Sequence, residues 1–408
     1  MLGGTGLFDS ADRPGIVGVI MAAFPPLGIT DGSCGNSSPI GEESSVRIGS
    51  NRRGHPAGLR VRLARRAVVT PLLAMTAMTG LVATAGAAPS GVPVLPGGVA
   101  VGAGDTAYGA TTPPAPPAGQ TFTAVSTNTF HTLALTSGGQ VVGFGLDQLG
   151  RLDIPALPEG QKYTAVSAGG SASIMLTSAG RIVGVGDGGY GETVAPALPA
   201  GQTYTAISAG GGGHTLALTS AGQVVAFGNN AQGQTDVPPP PDGQTYTAVA
   251  AGTFNSIALT SAGEIVEWGS KNNGASAPPA PAGQTYTAIA AGPFHALALT
   301  SGGQIVGWGS AGNLQLAFPA GQTYTAISAG TFHSAALTST GQVVTTGQND
   351  KGQLNIPAPP EGRIYTAIAA GGANTIAIHS PIPGPDPGTG SLEQITGSLS
   401  QLFPGAGS

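Results

Sequence analysis

Cysteine is all but absent from this chain. Its single copy, Cys34, lies ahead of a segment that reads as an export signal, so the mature product is expected to hold none. That excludes a disulfide framework and a cysteine-ligated metal. Charge is scarce as well, with Asp, Glu, Lys and Arg making up 8% of the residues. Beyond Ala87 there are six Lys and Arg against fourteen Asp and Glu, a net charge of −8. Such a chain is poorly equipped to hold nucleic-acid phosphates or to dock on anionic membranes. Catalytic signatures are missing too: there is no Gly-x-Ser-x-Gly elbow, no phosphate loop and no carboxylate pair recurring near a His. Asp147, Asp187 and Asp350 fall in turns without the oxygen-ligand spacing of a calcium loop.

What the chain has is repetition. An aromatic residue followed by Thr-Ala-Val or Thr-Ala-Ile occurs at Phe122, Tyr163, Tyr204, Tyr246, Tyr286, Tyr324 and Tyr365. The steps are 41, 41, 42, 40, 38 and 41 residues, and a fixed period near forty marks a repeat architecture. Each copy continues through a Gly-rich bend, an alternating apolar stretch such as His214–Thr219, a Ser-x-Gly turn, and a third apolar run such as Gln223–Gly228. A Gly-Gln turn and a Pro-ended piece, Gly233–Pro238, close the unit. These pieces are short, β-branched and bounded by Gly, Pro, Ser and Asn, which predicts strands and hairpins. Four short strands per repeat describe one blade of a β-propeller.

The seventh copy breaks at Pro381, so its outer half is missing. A counterpart stands before the first copy, where Gly98–Gly104 aligns with Gly139–Gly145 at an offset of 41, and Gly109 aligns with Gly150. The fold class is therefore all-β: a seven-bladed β-propeller over roughly residues 95–380, its ring closed by N-terminal strands that complete the last blade. Closure removes long unpaired edges.

Residues 1–87 are different material, holding eight of the fourteen Lys and Arg. Arg60–Arg66 is basic, Ala67–Ala87 is apolar and Ala-rich, and an Ala-x-Ala site ends the run, as in a secretory signal peptide. The expected domains are 1–87 as an extension plus signal peptide, with the true start at Val46 or Val61, then 88–380 as the propeller. The remainder, 381–408, reads as a Pro/Gly-rich linker with a short tail in which Leu392, Ile395, Leu399 and Leu402 sit at helical spacing. The expected location is secreted or cell-envelope associated, with no membrane span in the mature chain.

The unit Ala-Ala-Gly-x-x-His-x-Leu-Ala-Leu-Thr-Ser-x-Gly-Gln-Val-Val-x-Trp-Gly, nearly complete at Ala290–Gly309, resembles the repeat of the regulator of chromosome condensation family. In style the chain resembles the propeller-type β-lactamase inhibitory proteins of actinobacteria. The resemblance implies a binding module without cofactor or metal, and in its most concrete form an inhibitor of an extracellular hydrolase such as a β-lactamase. In those inhibitors the rim matching this chain's pre-histidine positions is aromatic and meets the partner.

Three repeat positions are candidates for function. His131, His214, His295 and His333 share one slot with Ala172, Asn255 and Asn374. Equivalent blade positions are too far apart to share an ion through bonds of about 2 Å, so these side chains are expected to bond neighbouring backbone. The repeated Tyr and the slot of Phe144, Phe227, Trp268 and Trp308 read as packing between blades. Function should appear where repeats disagree. The position before the His slot reads Phe130, Ser171, Gly213, Phe254, Phe294, Phe332 and Ala373. Phe130, Phe254, Phe294 and Phe332 are the predicted partner-binding residues, with the Gly-Gln turns and Pro-rich segments expected on the opposite face. The expected partner is a protein bound by a monomer, with no nucleic acid and no catalysis. The alternative is an enzyme or carbohydrate-binding protein using a polar cluster at the central channel mouth.

Overall fold

A computed structural model describes residues 98–271 and 275–382. The extension and signal-peptide reading of 1–87 and the tail beyond Ile382 fall outside the described residues.

The first strand is β1 (Val99–Gly104). Blade one follows as β2 (Phe122–Thr127), β3 (His131–Thr136) and β4 (Val141–Gly145). Blade two is β5 (Tyr163–Ala168), β6 (Ala172–Thr177) and β7 (Ile182–Gly186), and blade three is β8 (Tyr204–Ala209), β9 (His214–Thr219) and β10 (Val224–Gly228). Blade four is β11 (Tyr246–Ala251), β12 (Asn255–Thr260) and β13 (Ile265–Gly269), and blade five is β14 (Tyr286–Ala291), β15 (His295–Thr300) and β16 (Ile305–Gly309). Blade six is β17 (Tyr324–Ala329), β18 (His333–Thr338) and β19 (Val343–Gly347), and blade seven opens with β20 (Arg363–Ala370) and β21 (Asn374–Pro381). Each blade is a three-stranded antiparallel sheet, and the seventh has the order β1-β21-β20.

The chain ends meet as the repeat offset predicts. Val101 pairs with Ala377 and Gly104 with Asn374. Gly98 and Phe122 exchange both backbone hydrogen bonds at 2.9 Å, tying the start of β1 to blade one. Ala100, Phe122, Val125, Phe144, Ala369 and Ile376 then share one buried cluster across the seventh and first blades.

The expected fourth strand is not a strand. The Pro-ended segments run alongside their blades without joining a ladder. Proline has no N–H to donate, and Pro155 and Pro158, or Pro238 through Pro241, remove the donors an outer strand would need. The repeated Tyr hydroxyl holds the segment instead. Tyr163 donates to Pro155 O at 2.8 Å, Tyr204 to Pro196 O at 2.7 Å, Tyr246 to Pro238 O at 2.8 Å and Tyr286 to Pro278 O at 2.9 Å. The Tyr that packs between blades thus also clamps a backbone carbonyl.

The middle strands of blades one to six are buried along their whole length, and that of blade seven up to Pro381, because neighbouring blades cover both of their faces. Leu133, Ile174, Leu216, Ile257, Leu297 and Ile376 repeat as the fully buried layer. Polar groups in this setting must be paired. The His slot meets that need across blades, although its partner is a side-chain hydroxyl and not the backbone expected. His131 Nε2 lies 2.9 Å from Ser173 Oγ, His214 Nε2 3.2 Å from Ser256 Oγ, His295 Nε2 2.8 Å from Ser334 Oγ and His333 Nε2 2.9 Å from Thr375 Oγ1. Three of those hydroxyls, Ser173, Ser256 and Thr375, donate their one proton at 2.7 Å to the carbonyls of Arg151, Gln234 and Gln353. The imidazoles facing them must therefore donate through Nε2–H, which makes them neutral rings with a bare Nδ1. In blade seven Asn374 does reach backbone, donating to Asn128 O at 3.0 Å and Thr129 O at 3.2 Å.

Removing residues 98–112 will leave β21 paired only with β20, unpair its other edge and strip cover from Ile376 and Ile378. The expected result is a melting temperature lower by about 10 °C or more, or failure to fold. A deletion that melts like the parent would refute closure by β1.

Burial lowers the four histidines from 6.5 to about 4. The unfolded chain therefore binds protons first as pH falls below about 6.5. The stability of the neutral staples is complete above that pH and is lost progressively down to about 4, at no more than about 1.4 kcal/mol per pH unit for each histidine. Thermal melts from pH 8 to 4 should show this decline. The H131N/H214N/H295N/H333N variant, borrowing the residue of blades four and seven, should flatten it.

Candidate functional site

The bends between first and second strands place the pre-histidine residues. At this position the backbone is held in the same way whatever the side chain. Phe130 O accepts from Leu146 N–H at 2.8 Å, Ser171 O from Asp187 at 3.0 Å and Gly213 O from Asn229 at 2.7 Å. Phe254 O and Phe294 O accept from Ser270 and Ser310 at 2.8 Å, and Phe332 O from Gln348 at 2.9 Å. The main chain carries the fold here, so the side chain is free to differ between blades.

Phe254, Phe294 and Phe332 are 47%, 37% and 36% exposed, far above the buried aromatics of the blades. Phe294 and Phe332 stack with ring centroids 5.1 Å apart and planes 11° apart. Phe254 leans toward blade three, where a Cβ on Gly212 would sit 3.4 Å from its ring. Phe130 is half-buried. Tyr108 meets it edge-on at 5.3 Å, and the Arg151 guanidinium lies 5.6 Å from its centroid, a cation–π distance.

The Gly-Gln turns were expected on the opposite face, and the structure moves them. Each third strand runs antiparallel to the second, so Gly228 pairs with His214 and Gly145 with His131. The turn after the third strand therefore emerges beside the Phe bends. The Ser-x-Gly turns are left on the other face, which the Pro-rich segments reach where they lead into the next first strand. This adds residues that the sequence reasoning missed. Tyr108 is 44% exposed, Leu149 58%, Tyr190 64% and Leu314 70%, all in these turns. Tyr190 takes the space beside Gly213, where an added Cβ would come within 2.8 Å of its ring. A turn residue of blade two thus provides the aromatic group that blade three lacks. The signal was in the sequence, since Tyr108, Leu149 and Tyr190 each precede the aligned Gly109, Gly150 and Gly191.

The turns are rigidly seated. Buried side chains close them from within: Gln234 Oε1 accepts Gln232 N–H at 2.8 Å, Gln353 Oε1 accepts Lys351 N–H at 2.9 Å, and Glu192 Oε2 accepts Tyr190 N–H at 3.1 Å. Blade four departs from the pattern. There Glu267 stands where other third strands carry Gly or a small residue. Its carboxylate accepts from Ala277 N–H at 2.8 Å and from Trp308 Nε1 at 2.7 Å.

Inside the rim opens a cavity of about 280 Å³ lined by small residues of all seven blades, among them Ser126, Ser167, Ser208, Thr253, Ala291 and Ser328. Its described lining has no titratable side chain. Among the described residues no three His, Cys, Asp or Glu gather as a metal site, and no helix is long and apolar enough to cross a membrane.

With this geometry the chain can be set beside known proteins. The family model of the Regulator of chromosome condensation (RCC1) repeat matches residues 204–234, 286–315 and 324–353, which begin blades three, five and six. No curated protein sequence matches the chain. Among solved structures it is similar to Prp20p of Saccharomyces cerevisiae, characterised for its binding to Gsp1p and histones. That likeness has 17% identity and a TM-score of 0.56 over 68% of this chain and 85% of that one. It is also similar to human WBSCR16, at 18% identity and a TM-score of 0.58 over 70% and 99% of the two chains. At these identities the likeness is one of fold: segments of three blades match the RCC1 repeat model, and the described blades are similar in fold to the RCC1-type propellers.

Proposed function

We propose that this propeller docks another protein through the face that carries the Phe bends and the Gly-Gln turns. One observation carries the reading. Of the ten large apolar side chains exposed among the described residues, seven lie in the Phe bends and the Gly-Gln turns: Tyr108, Leu149, Tyr190, Phe254, Phe294, Leu314 and Phe332. Exposed apolar patches of this kind mark contact surfaces, and aromatic anchors supply most of the energy at such surfaces. The rim turns are tied into the buried blade interfaces, so little ordering is needed on binding. Prp20p, with the same fold, binds proteins, which supports the class of partner but not its identity.

The narrower form of the proposal is inhibition of a secreted hydrolase such as a β-lactamase. It rests on the export-signal pattern at Arg60–Ala88 and on the aromatic rim. The channel mouth offers hydroxyls and backbone groups but no carboxylate or imidazole in its described lining, so the rim is the better-supported site.

The triple variant F254A/F294A/F332A should fold and melt within a few degrees of the parent, because half-exposed rings leave no sealed core cavity. A buried Phe→Ala costs about 3–5 kcal/mol by contrast. Tyr286→Ala, at a ring 4% exposed, is the destabilising control. Immobilised parent chain should retain a protein from the culture medium that the triple variant binds at least about thirtyfold more weakly, the equivalent of a 2 kcal/mol hot spot. Equal retention by both would move the site elsewhere.

A further inference from the structure

The channel wall breaks its own pattern beside the Phe294–Phe332 stack. Around most of the ring a first-strand serine accepts a backbone N–H from the next blade. Ser126 Oγ accepts from Ala168 at 2.9 Å, Ser167 from Ala209 at 2.9 Å, Ser208 from Ala251 at 2.9 Å and Ser328 from Ala370 at 2.8 Å. In blades four and five the serine position is held by Ala250 and Ala290. The N–H groups of Ala291 and Ala329 therefore face a methyl group where their counterparts meet an oxygen. Both residues are half-buried and line the cavity, and each lies three positions before a stacked ring, Phe294 or Phe332. A third gap, at Ala369, faces Thr127, which is buried and does not line the cavity.

A backbone N–H deprived of its partner gains from any acceptor that reaches it. Here two such donors sit on adjacent blades of a rigid ring, each missing one oxygen, with an aromatic wall at the rim and no carboxylate in the described lining to repel an anion. We propose that the channel wall of blades five and six carries two equivalent subsites for a carbonyl-type oxygen, from a carboxylate or an amide, one at the Ala291 N–H and one at the Ala329 N–H. The donor of that oxygen would be a loop of the protein docked on the rim. That last step rests on the docking face proposed above, whereas the subsites stand on the hydrogen-bond pattern alone.

The test needs no partner. In the full ¹⁵N-labelled chain, the Ala291 and Ala329 amides should exchange with solvent at least about tenfold faster than those of Ala168, Ala209, Ala251 and Ala370. Titration with sodium acetate and, separately, with N-methylacetamide should give saturable shifts at Ala291 and Ala329 and not at the four serine-bonded amides. A response to acetate alone identifies a carboxylate ligand, and a response to the amide identifies a peptide carbonyl. The A250S/A290S variant, which restores the hydroxyls found in blades one, two, three and six, should melt no lower than the parent and lose both the fast exchange and the shifts. Slow exchange at both amides, shifts that do not saturate, or shifts undiminished in the double variant would overturn the subsites. Weakened partner binding by the Phe variants would be untouched by that failure, so the two proposals fail separately.

Discussion

In five of the seven blades a buried hydroxyl at the head of the middle strand fastens the blade to its predecessor, and the packing of the ring depends on that bond. Thr132, Ser173, Thr215, Ser256 and Thr375 each donate to a carbonyl in the turn of the preceding blade: Ala110, Arg151, Glu192, Gln234 and Gln353. All five hydroxyls are sealed from water, where an unmade bond is expensive. The same oxygen faces a histidine of the preceding blade at three of these junctions. One atom thus sets the spacing of blades, the protonation state of the imidazole and the seat of the rim turn.

The rim inherits its rigidity from that interface. Tyr108, Leu149 and Tyr190 each lie two residues before one of those carbonyls, so an exposed side chain stands on a buried anchor. The bends bearing Phe254, Phe294 and Phe332 are fixed by main-chain hydrogen bonds that all seven blades share. Variation in side chains on an invariant backbone lets a repeat protein keep its fold while changing its contacts. Blade four shows how a departure is repaired. In blade three's turn the Gln234 carbonyl accepts from Trp268 Nε1, and the carboxylate of Glu267 does the same for Trp308.

The asymmetry of the ring is concentrated on one arc. Blades five and six carry the stacked Phe pair, and the serine-to-backbone bond is missing from the junctions leading into them. The opposite sector, around blades two and three, has Ser171 and Gly213 in the bend, with Tyr190 filling in from a turn. An apolar, chemically unsymmetrical rim around a neutral, hydroxyl-lined mouth suits recognition of one surface in one orientation.

The repeat period, the blade count and the joining of the chain ends were legible in the sequence by itself. A register of about forty-one residues fixes which segments are equivalent, and the half-repeat before Phe122 has only one place to go. The disagreement at the pre-histidine slot was legible for the same reason. Strand direction and the partners of buried groups were decided by the tertiary structure. Antiparallel pairing of the third strand brings the Gly-Gln turns to the Phe face, and no periodicity records on which side of a sheet a turn emerges. Proline's missing donor left the fourth segment unpaired, a local fact whose outcome depended on the Tyr hydroxyl eight residues on. The neutral histidine staples and the vacant N–H groups of Ala291 and Ala329 come from contacts between residues about forty positions apart. Such contacts exist only once the blades stand side by side.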